Sequence, residues 1–317
     1  MDKTIVYACK NIDYEIRRRS SSGGAFYALA HNVIRQGGIV FGARFNEKWE
    51  VVHSCCDNVS ELKHFMGSKY VQSQLGNIFL QIKSNLENNK LVMFVGTPCQ
   101  IGGLKNYLGH DYDKLILVDF VCHGVPSPKV WQTYLHEMFD VSEIKEISFR
   151  DKSEGWQRYS LKIVSDKLIY QKMKNEDWYM KGFLKNIYLR PSCYECVLKG
   201  KEKESDFTLA DFWGVEEVLP EFYDKLGVSL LFVHSEKGMN LWRLVRKQFI
   251  SQEVSLEKAF KKNSAAFSSS ARPSGRNVFF STSGTISQKV KKATGDYFIL
   301  KAINKLKKLF QQERKRV

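Results

Sequence analysis

Short apolar runs alternate with stretches of helical periodicity through the first half of the chain. Residues 25–35 repeat apolar side chains at helical spacing and stop before Gly37 and Gly38, a pair typical of a helix C-terminus. Apolar runs at 39–44 and 50–54 predict strands on either side of a polar turn. Such alternation is typical of an α/β protein with a parallel core.

Beyond residue 144 the pattern changes to shorter segments that are typical of antiparallel strands. The strands predicted in this part lie at residues 147–150, 158–165, 167–171, 206–210 and 228–234, and a helix is predicted over 237–249. The predicted fold class is therefore α/β (mixed α+β). It combines a parallel βαβ core with a second antiparallel-rich region, and a ligand crevice is expected between the two.

Two of the buried runs end in a cysteine. Cys99 follows the run at 91–95 through a Gly-Thr-Pro turn, and Cys122 follows the run at 115–121. Residues 101–113 carry apolar side chains at helical spacing, so the whole segment predicts a βαβ unit with parallel strands. Because the carboxyl ends of neighbouring parallel strands open into one crevice, we expect both thiols to lie there. Cys99 also falls near the start of the predicted helix, a position that lowers a thiol pKa.

Cys193 and Cys196 form a Cys-x-x-Cys pair that completes a set of four candidate ligands. Four thiolates are the ligand set of an iron–sulfur cluster. Structural zinc is the main alternative, but closed zinc sites usually combine two short Cys-x-x-Cys pairs, and here only one is found. A nucleophilic Cys99 assisted by His123 is the third interpretation, although His123 is more simply explained as a loop anchor.

Three glycine-containing turns are candidate contacts for a phosphate-bearing ligand. Residues 21–24, Ser-Ser-Gly-Gly, precede a predicted helix and offer hydroxyl and N–H groups to an anion. Residues 67–70, Gly-Ser-Lys-Tyr, add a lysine, and Gly96-Thr97 follows a buried strand, where cofactors usually bind. The first two turns also fit ordinary helix caps and surface turns. None matches the dinucleotide fingerprint or the P-loop, which disfavours a nicotinamide dehydrogenase of the doubly wound kind.

The chain has 317 residues and a formal net charge of +15. A basic balance raises the question of anionic partners, but no helix-turn-helix, zinc-finger, RNP or KH signature is present, so nucleic acid is not an expected partner. No N-terminal targeting pattern and no apolar run of about 18 residues is found, which predicts a cytoplasmic location with reduced cysteines. Cys9, Cys55 and Cys56 lie outside any motif and are expected to be ordinary thiols.

The end of the chain has a basic amphipathic pattern. Apolar residues recur at helical spacing between Phe298 and Phe310, with lysines around them. Such a helix either docks on the protein body, which is the simpler interpretation, or makes peripheral contact with an anionic membrane. Residues 263–276, rich in Ser, Ala and basic side chains, predict a loop or extended arm.

Several of these motifs occur together in one known family. The sequence resembles the beta subunits of coenzyme F-420 hydrogenases and dehydrogenases over about residues 20 to 280. The matching stretches, in chain order, are Ser21-Ser22-Gly23-Gly24, Gly42-Ala43, Gly67-Ser68-Lys69-Tyr70, Gly96-Thr97-Pro98-Cys99-Gln100, Asp119 through Cys122-His123-Gly124, Phe149-Arg150-Asp151-Lys152 with Gly155-Trp156, Arg190-Pro191-Ser192-Cys193 with Cys196, and Asp211-Phe212-Trp213-Gly214.

The resemblance implies an iron–sulfur flavoprotein oxidoreductase that holds a 4Fe-4S cluster and FAD. Carried over, the cluster ligands are Cys99, Cys122, Cys193 and Cys196. The implied FAD contacts are Ser22, Gly23, Gly24, Gly67, Ser68, Lys69, Gly96 and Thr97. No side chain is identified as a general acid or base. The corresponding domain boundaries are 1–140 for a flavin- and cluster-binding α/β region, 141–262 for a mixed region with the Cys-x-x-Cys, and 263–317 for the arm and tail helix.

One departure from the family affects the expected partners. Many members begin with a ferredoxin-like segment that carries extra Cys-x-x-Cys repeats, whereas here only Cys9 precedes the match. Electrons are then expected from a separate donor, such as a ferredoxin or a partner subunit. The small-molecule acceptor is either coenzyme F-420 or an intermediate of polysaccharide synthesis, because shortened bacterial relatives resemble proteins of surface-polysaccharide synthesis. The alternative function is a non-catalytic, zinc-stabilised accessory protein in surface-polysaccharide assembly.

Overall fold

A computed structural model of the chain describes residues 4–200 and 203–296. Its strands form one large and one small sheet. The large sheet has eight strands in the order β11-β1-β10-β9-β5-β4-β2-β3, and the small sheet has three in the order β6-β7-β8. The strands are β1 (Ile5–Asn11), β2 (Ile39–Phe45), β3 (Val51–Cys56), β4 (Val92–Val95), β5 (Leu115–Phe120), β6 (Ile144–Asp151), β7 (Ser160–Ser165), β8 (Ile169–Met173), β9 (Phe207–Asp211), β10 (Ser229–Val233) and β11 (Phe249–Val254).

The centre of the large sheet is parallel and its two margins are antiparallel. Strands β2, β4, β5 and β9 run in one direction, whereas β3, β10 and β11 pair antiparallel with their neighbours. Strands β4 and β5 are adjacent, with Val92 opposite Leu115. The predicted βαβ unit is therefore present, and the predicted mixed fold class, with its second antiparallel region, is confirmed.

The helices lie between these strands along the chain. They are α1 (Tyr14–Arg19), α2 (Ala25–Arg35), α3 (Ile78–Glu87), α4 (Pro98–Leu108), α5 (Pro128–Met138), α6 (Trp178–Leu184), α7 (Val215–Val218), α8 (Glu236–Val245), α9 (Leu256–Phe260), α10 (Gly275–Ser281) and α11 (Ile286–Ala293). Within the described ranges, no helix is both long enough and apolar enough to span a bilayer.

Two apolar cores cover opposite faces of the parallel strands. Val40 and Met93 pack with residues of α2 and α8, while Phe41 and Phe94, one position further along each strand, pack with α3 and α4. Successive side chains of a strand point to opposite faces, so a strand covered on both faces needs a continuous apolar run. This requirement explains why the runs at these strands contain few polar residues.

The small sheet packs through a third core that is rich in aromatic side chains. Trp131 of α5, Phe149 of β6 and Tyr179 of α6 are fully buried in it, and Val290 of α11 closes it. The rings of Trp131 and Phe149 lie 4.8 Å apart. Large rings supply much of the burial here, because each one removes a large apolar area from water.

Two strands at one margin of the large sheet, β1 and β11, have no counterpart in the sequence-based prediction. The predicted helix over 237–249 ends at Val245, and Phe249 begins β11, which pairs with β1. Leu241, Trp242, Val245 and Phe249 fit one helical face, so periodicity alone extends the helix too far. The large sheet also draws strands from both sides of residue 140. The predicted tail helix between Phe298 and Phe310 lies outside the described residues.

Candidate functional site: a cysteine-lined pocket

The carboxyl ends of the parallel strands deliver two of the four cysteines. Helix α4 begins directly after β4 with Pro98, and Thr97 caps it together with Gln100, so Cys99 lies in the first turn. Cys122 lies two residues beyond the end of β5. Because β4 and β5 are parallel neighbours, both thiols reach the same edge of the sheet, as the sequence predicted.

All four candidate cysteines line one pocket at this edge. Cys193 and Cys196 join Cys99 and Cys122 there, on a loop that contains a short 3₁₀ turn, Pro191–Cys193. The cavity is small, about 40 Å³. Thr97, Lys199, Lys203, Ala265 and Ala266 are also among its lining residues. We call this site the cysteine pocket.

The thiols of the cysteine pocket differ in environment. Cys99 is exposed, and its sulfur lies 3.0 Å from the Thr97 hydroxyl oxygen. Burial raises the pKa of Cys122 to about 12, and burial also raises the pKa of Cys193. The backbone at Gly124 lowers the pKa of Cys122, and the backbone at Val125 lowers that of Cys193, but burial has the larger effect on both. A bound metal would therefore have to displace protons from at least these two thiols.

A lysine of this pocket has an unusual environment. The Lys199 ammonium nitrogen is buried and has no hydrogen-bond partner among the described residues. Desolvation lowers its pKa, and the ionisable groups that act on it are Cys122, Cys193, Cys196 and Lys203. Sequence reasoning missed Lys199, although its position three residues after Cys196 is a signal that could have pointed to it.

Part of the segment predicted as a loop or extended arm borders the pocket. Residues 264–272, which we call the serine strap, run across both cysteine loops. The Ser269 hydroxyl accepts from the Cys196 N–H at 2.9 Å and donates to the Cys196 carbonyl at 3.2 Å. The Ser270 hydroxyl donates to the His123 carbonyl, and the Gly200 N–H donates to the Ala266 carbonyl at 3.0 Å. The strap therefore connects the loop after β5 to the Cys-x-x-Cys loop.

His123 acts as an anchor for the loop after β5. Its Nε2 atom lies 2.6 Å from the Asn186 side-chain oxygen, and its ring packs edge-on against Phe183 at 5.1 Å. Burial lowers its pKa, so the ring is neutral near pH 7. The hydrogen-bond partner of the ring is Asn186, whereas the Cys99 sulfur contacts Thr97. This arrangement favours the anchoring role over a Cys99–His123 nucleophilic pair.

The three candidate flavin turns lie at the same edge of the sheet. The Ser21 and Ser68 hydroxyl oxygens are 2.8 Å apart, which brings the first two turns together. Within the first turn, the Ser22 hydroxyl donates to the Val228 carbonyl. A Cβ atom on Gly23 would lie 2.3 Å from the Cys9 carbonyl oxygen, so this close approach requires glycine. Ser22 and Gly23 therefore have roles in packing the turn against the sheet, and Gly24 adopts a positive φ of 88° before α2.

The second turn is open at Gly67, whereas the third turn is crowded at Gly96. Gly67 also has a positive φ, and a Cβ atom there would meet nothing within 4 Å. Lys69 donates to the Met66 carbonyl at 2.8 Å, and burial lowers its pKa to about 7. Thr97 belongs to the cysteine pocket, and its neighbour Gly96 packs against Gln100. These positions remain predicted FAD contacts.

A second cluster of chemical groups lies where the two sheets meet. Arg150 of β6 donates to Asp211 of β9 at 2.6 Å, and the Trp156 indole N–H donates to the same carboxylate at 3.3 Å. The Trp213 ring stacks on Trp156 with centroids 4.6 Å apart, and the Arg150 guanidinium lies 4.8 Å from the Tyr159 ring centroid. We call this the intersheet junction. Sequence reasoning did not connect these residues, which come from two distant stretches of chain.

Across the described ranges, no group of three or more His, Cys, Asp or Glu side chains is arranged to hold a metal ion. The four cysteines share a pocket without converging as ligands of a single ion do.

Comparisons with known proteins find one family model and a similar solved structure. A family model for the C-terminal part of the beta subunit in coenzyme F420 hydrogenase/dehydrogenase matches residues 89–258. The fold is similar to that of a chain in a xenon-derivatised F420-reducing NiFe hydrogenase complex from Methanosarcina barkeri. That match has a TM-score of 0.55 and 14% sequence identity, and it covers 92% of this chain and 90% of the other. No curated protein matches.

Proposed function

This chain belongs to the coenzyme F-420 hydrogenase/dehydrogenase beta-subunit family and is an oxidoreductase of that type, and we propose that it is an iron–sulfur flavoprotein. The observation that carries the proposal is the cysteine pocket, where Cys99, Cys122, Cys193 and Cys196 line one cavity. These residues come from three separate loops, and four thiolates form the ligand set of a 4Fe-4S cluster.

The residues of the pocket fit a cluster better than one zinc ion. A cluster is larger than a single ion, so its ligands need not converge on one point, and no such convergence is found among the described residues. Among the residues that the structure describes, the Lys199 ammonium has no anionic partner, and a group held by four thiolates supplies negative charge.

The chain's own residues would hold, orient and shield the bound groups. The four thiolates would bind the cluster, and the serine strap would keep the two cysteine loops together around it. The turns at Gly67–Lys69 and at Gly96–Thr97 would contact FAD. When bound, the cluster supplies single electrons and the flavin supplies two-electron chemistry with an organic substrate.

The proposal includes an electron acceptor and an electron donor. Membership of the family supports coenzyme F-420 as the small-molecule acceptor, and a polysaccharide-synthesis intermediate is the alternative acceptor. The structural relative comes from a hydrogenase complex, which supports electron delivery by a partner subunit. A separate ferredoxin is the alternative donor.

Anaerobic purification of the full chain tests the proposal. Iron, sulfide, zinc and flavin contents are measured together with the absorbance spectrum. We expect about four iron atoms and one FAD per chain, with the broad visible absorption of a cluster. Replacement of Cys193 by Ser should remove most of that absorption, because the cluster would lose one of its four ligands.

Cys55→Ser is the matched control, since Cys55 is a partly buried thiol on β3 outside the cysteine pocket. It should leave the iron content unchanged. Bound zinc without iron or flavin would overturn the redox proposal and support the accessory-protein alternative. Equal loss of iron in both cysteine variants would remove Cys193 from the ligand set.

A further inference from the structure

We propose that Lys199 is the charge-compensating residue of the cysteine pocket and that it raises the reduction potential of the cluster bound there. The inference rests on the proposed function, because it concerns a group held by the same four cysteines. Lys199 would act on the cluster through its charge, and it would not contact the substrate.

The first argument is the missing counter-charge. The Lys199 ammonium is buried at a pocket with largely apolar walls and has neither a hydrogen-bond partner nor an ion-pair partner among the described residues. By contrast, Lys237 forms an ion pair with Asp206 at 3.8 Å and Lys181 forms one with Asp296 at 2.6 Å. A shielded ammonium is stabilised by a nearby negative charge, so a cation without a partner in this partly buried position indicates an anionic occupant.

The second argument is what surrounds the ammonium. Lys199 lines the same pocket as the four candidate ligands, and the other cation among the lining residues is Lys203. Cysteines bind metal as thiolates, so a bound cluster places negative charge in the pocket that Lys199 lines. The pocket therefore gains its counter-charge for Lys199 at the moment when the cluster binds.

The positive charge of Lys199 should affect the reduction potential of the cluster. Reduction adds one negative charge to a group that is already anionic, and a nearby cation stabilises the reduced form more than the oxidised form. Salt screens a buried pair weakly, so the effect should persist at high ionic strength. Removing the charge at position 199 should therefore shift the midpoint potential to more negative values.

Potentiometric titration of the anaerobically purified full chain, followed by visible absorbance and electron paramagnetic resonance, tests this inference. The variants are Lys199→Met, which removes the charge and keeps a long side chain, and Lys199→Arg, which keeps the charge. Lys247→Gln, at an exposed position just before the edge strand β11, controls for the change in net charge. We expect a negative shift for Lys199→Met, a potential near wild type for Lys199→Arg, and no shift for Lys247→Gln.

The outcomes separate this inference from the proposed function. A wild-type protein without a cluster overturns the proposed function itself. A cluster present in wild type with an unchanged potential in Lys199→Met overturns only the role of Lys199. If Lys199→Met fails to retain a cluster while Lys199→Arg retains it, the charge requirement is supported, whereas loss in both variants contradicts it.

Discussion

The intersheet junction and the cysteine pocket each bury a cation, but only one of them also buries its counter-charge. At the junction, the Arg150 side chain is 3% exposed and is paired with Asp211 at 2.6 Å. In the pocket, Lys199 has no such partner among the described residues. The two regions therefore meet the same electrostatic demand in different ways, within the chain at the junction and, as we propose, through a bound group in the pocket.

This difference separates a structural role from a ligand-binding role more clearly than residue type does. The junction joins β6 of the small sheet to β9 of the large sheet, and its rings stack on one another. The Nε and second Nη atoms of Arg150 have no hydrogen-bond partner among the described residues, but its charge is compensated within the fold by Asp211. The pocket combines thiols, a cation and apolar walls, and none of these groups supplies a negative charge for the cation. A site with such incomplete interactions indicates a missing partner.

The largest expected effect is on stability, and it distinguishes the two cations. Arg150→Met should lower the free energy of unfolding by about 3–5 kcal/mol, because it leaves Asp211 without its partner in a buried site. In cluster-free protein, Lys199→Met should leave stability unchanged or raise it, since it removes an unpaired buried charge. Urea denaturation of both variants, without iron, measures the difference.

The exposed Arg18–Glu15 pair supplies a control for this comparison. Arg18→Gln should change the free energy of unfolding by less than about 0.5 kcal/mol, because exposed pairs contribute little. If Lys199→Met destabilised the cluster-free protein as much as Arg150→Met does, the contrast between the two regions would be wrong.

The sequence predicted the pocket far better than the junction, for a physical reason. Cys99 and Cys122 terminate apolar runs with a helix between them, and that local pattern places both at one edge of a sheet. Arg150 and Asp211 are 61 residues apart, and Ser269 and Cys196 are 73 residues apart. No local periodicity encodes such pairings, so the junction and the strap emerged only from the three-dimensional structure.

A smaller effect should appear in the pH dependence of stability, and it involves His53, which is buried as a neutral ring. His53 of β3 is buried beside Val95, and its Nε2 atom lies 3.1 Å from the Val95 carbonyl oxygen. Burial lowers the pKa of His53 to about 4, from an ordinary value of 6.5. The unfolded chain then binds more protons than the folded chain between these two values, so stability falls as the pH falls from about 6.5 to 4.

His53→Phe should remove this pH dependence while keeping a ring against Phe94. Between pH 7.5 and pH 4.5, wild type should lose about 2.5 kcal/mol more than the variant. Urea midpoints at the two pH values provide the measurement. Parallel losses in wild type and variant would show that His53 is not kept neutral by the fold.

The smallest expected effect concerns the serine strap and sharpens the description of the pocket. Ser269→Ala removes two hydrogen bonds to the backbone of Cys196, which together contribute about 1–2 kcal/mol. We expect global stability to change by no more than this amount, while iron is lost to a chelator several-fold faster. Ser287→Ala, on the N-terminal turn of α11 away from the pocket, is the control. Unchanged iron release in Ser269→Ala would limit the strap to a packing role.

The strand order of the large sheet has a consequence for synthesis of the protein. Strands β5 and β9 are adjacent, yet residues 121–206 separate them in the chain and include Cys122, the small sheet and the Cys-x-x-Cys loop. On the ribosome, Cys99 and Cys122 therefore emerge well before Cys193 and Cys196, and the strap emerges last of all. Because long-range strand pairing is slow, the pocket can form only late in folding. Iron should therefore be inserted only after the chain has emerged from the ribosome to at least residue 272, the end of the serine strap.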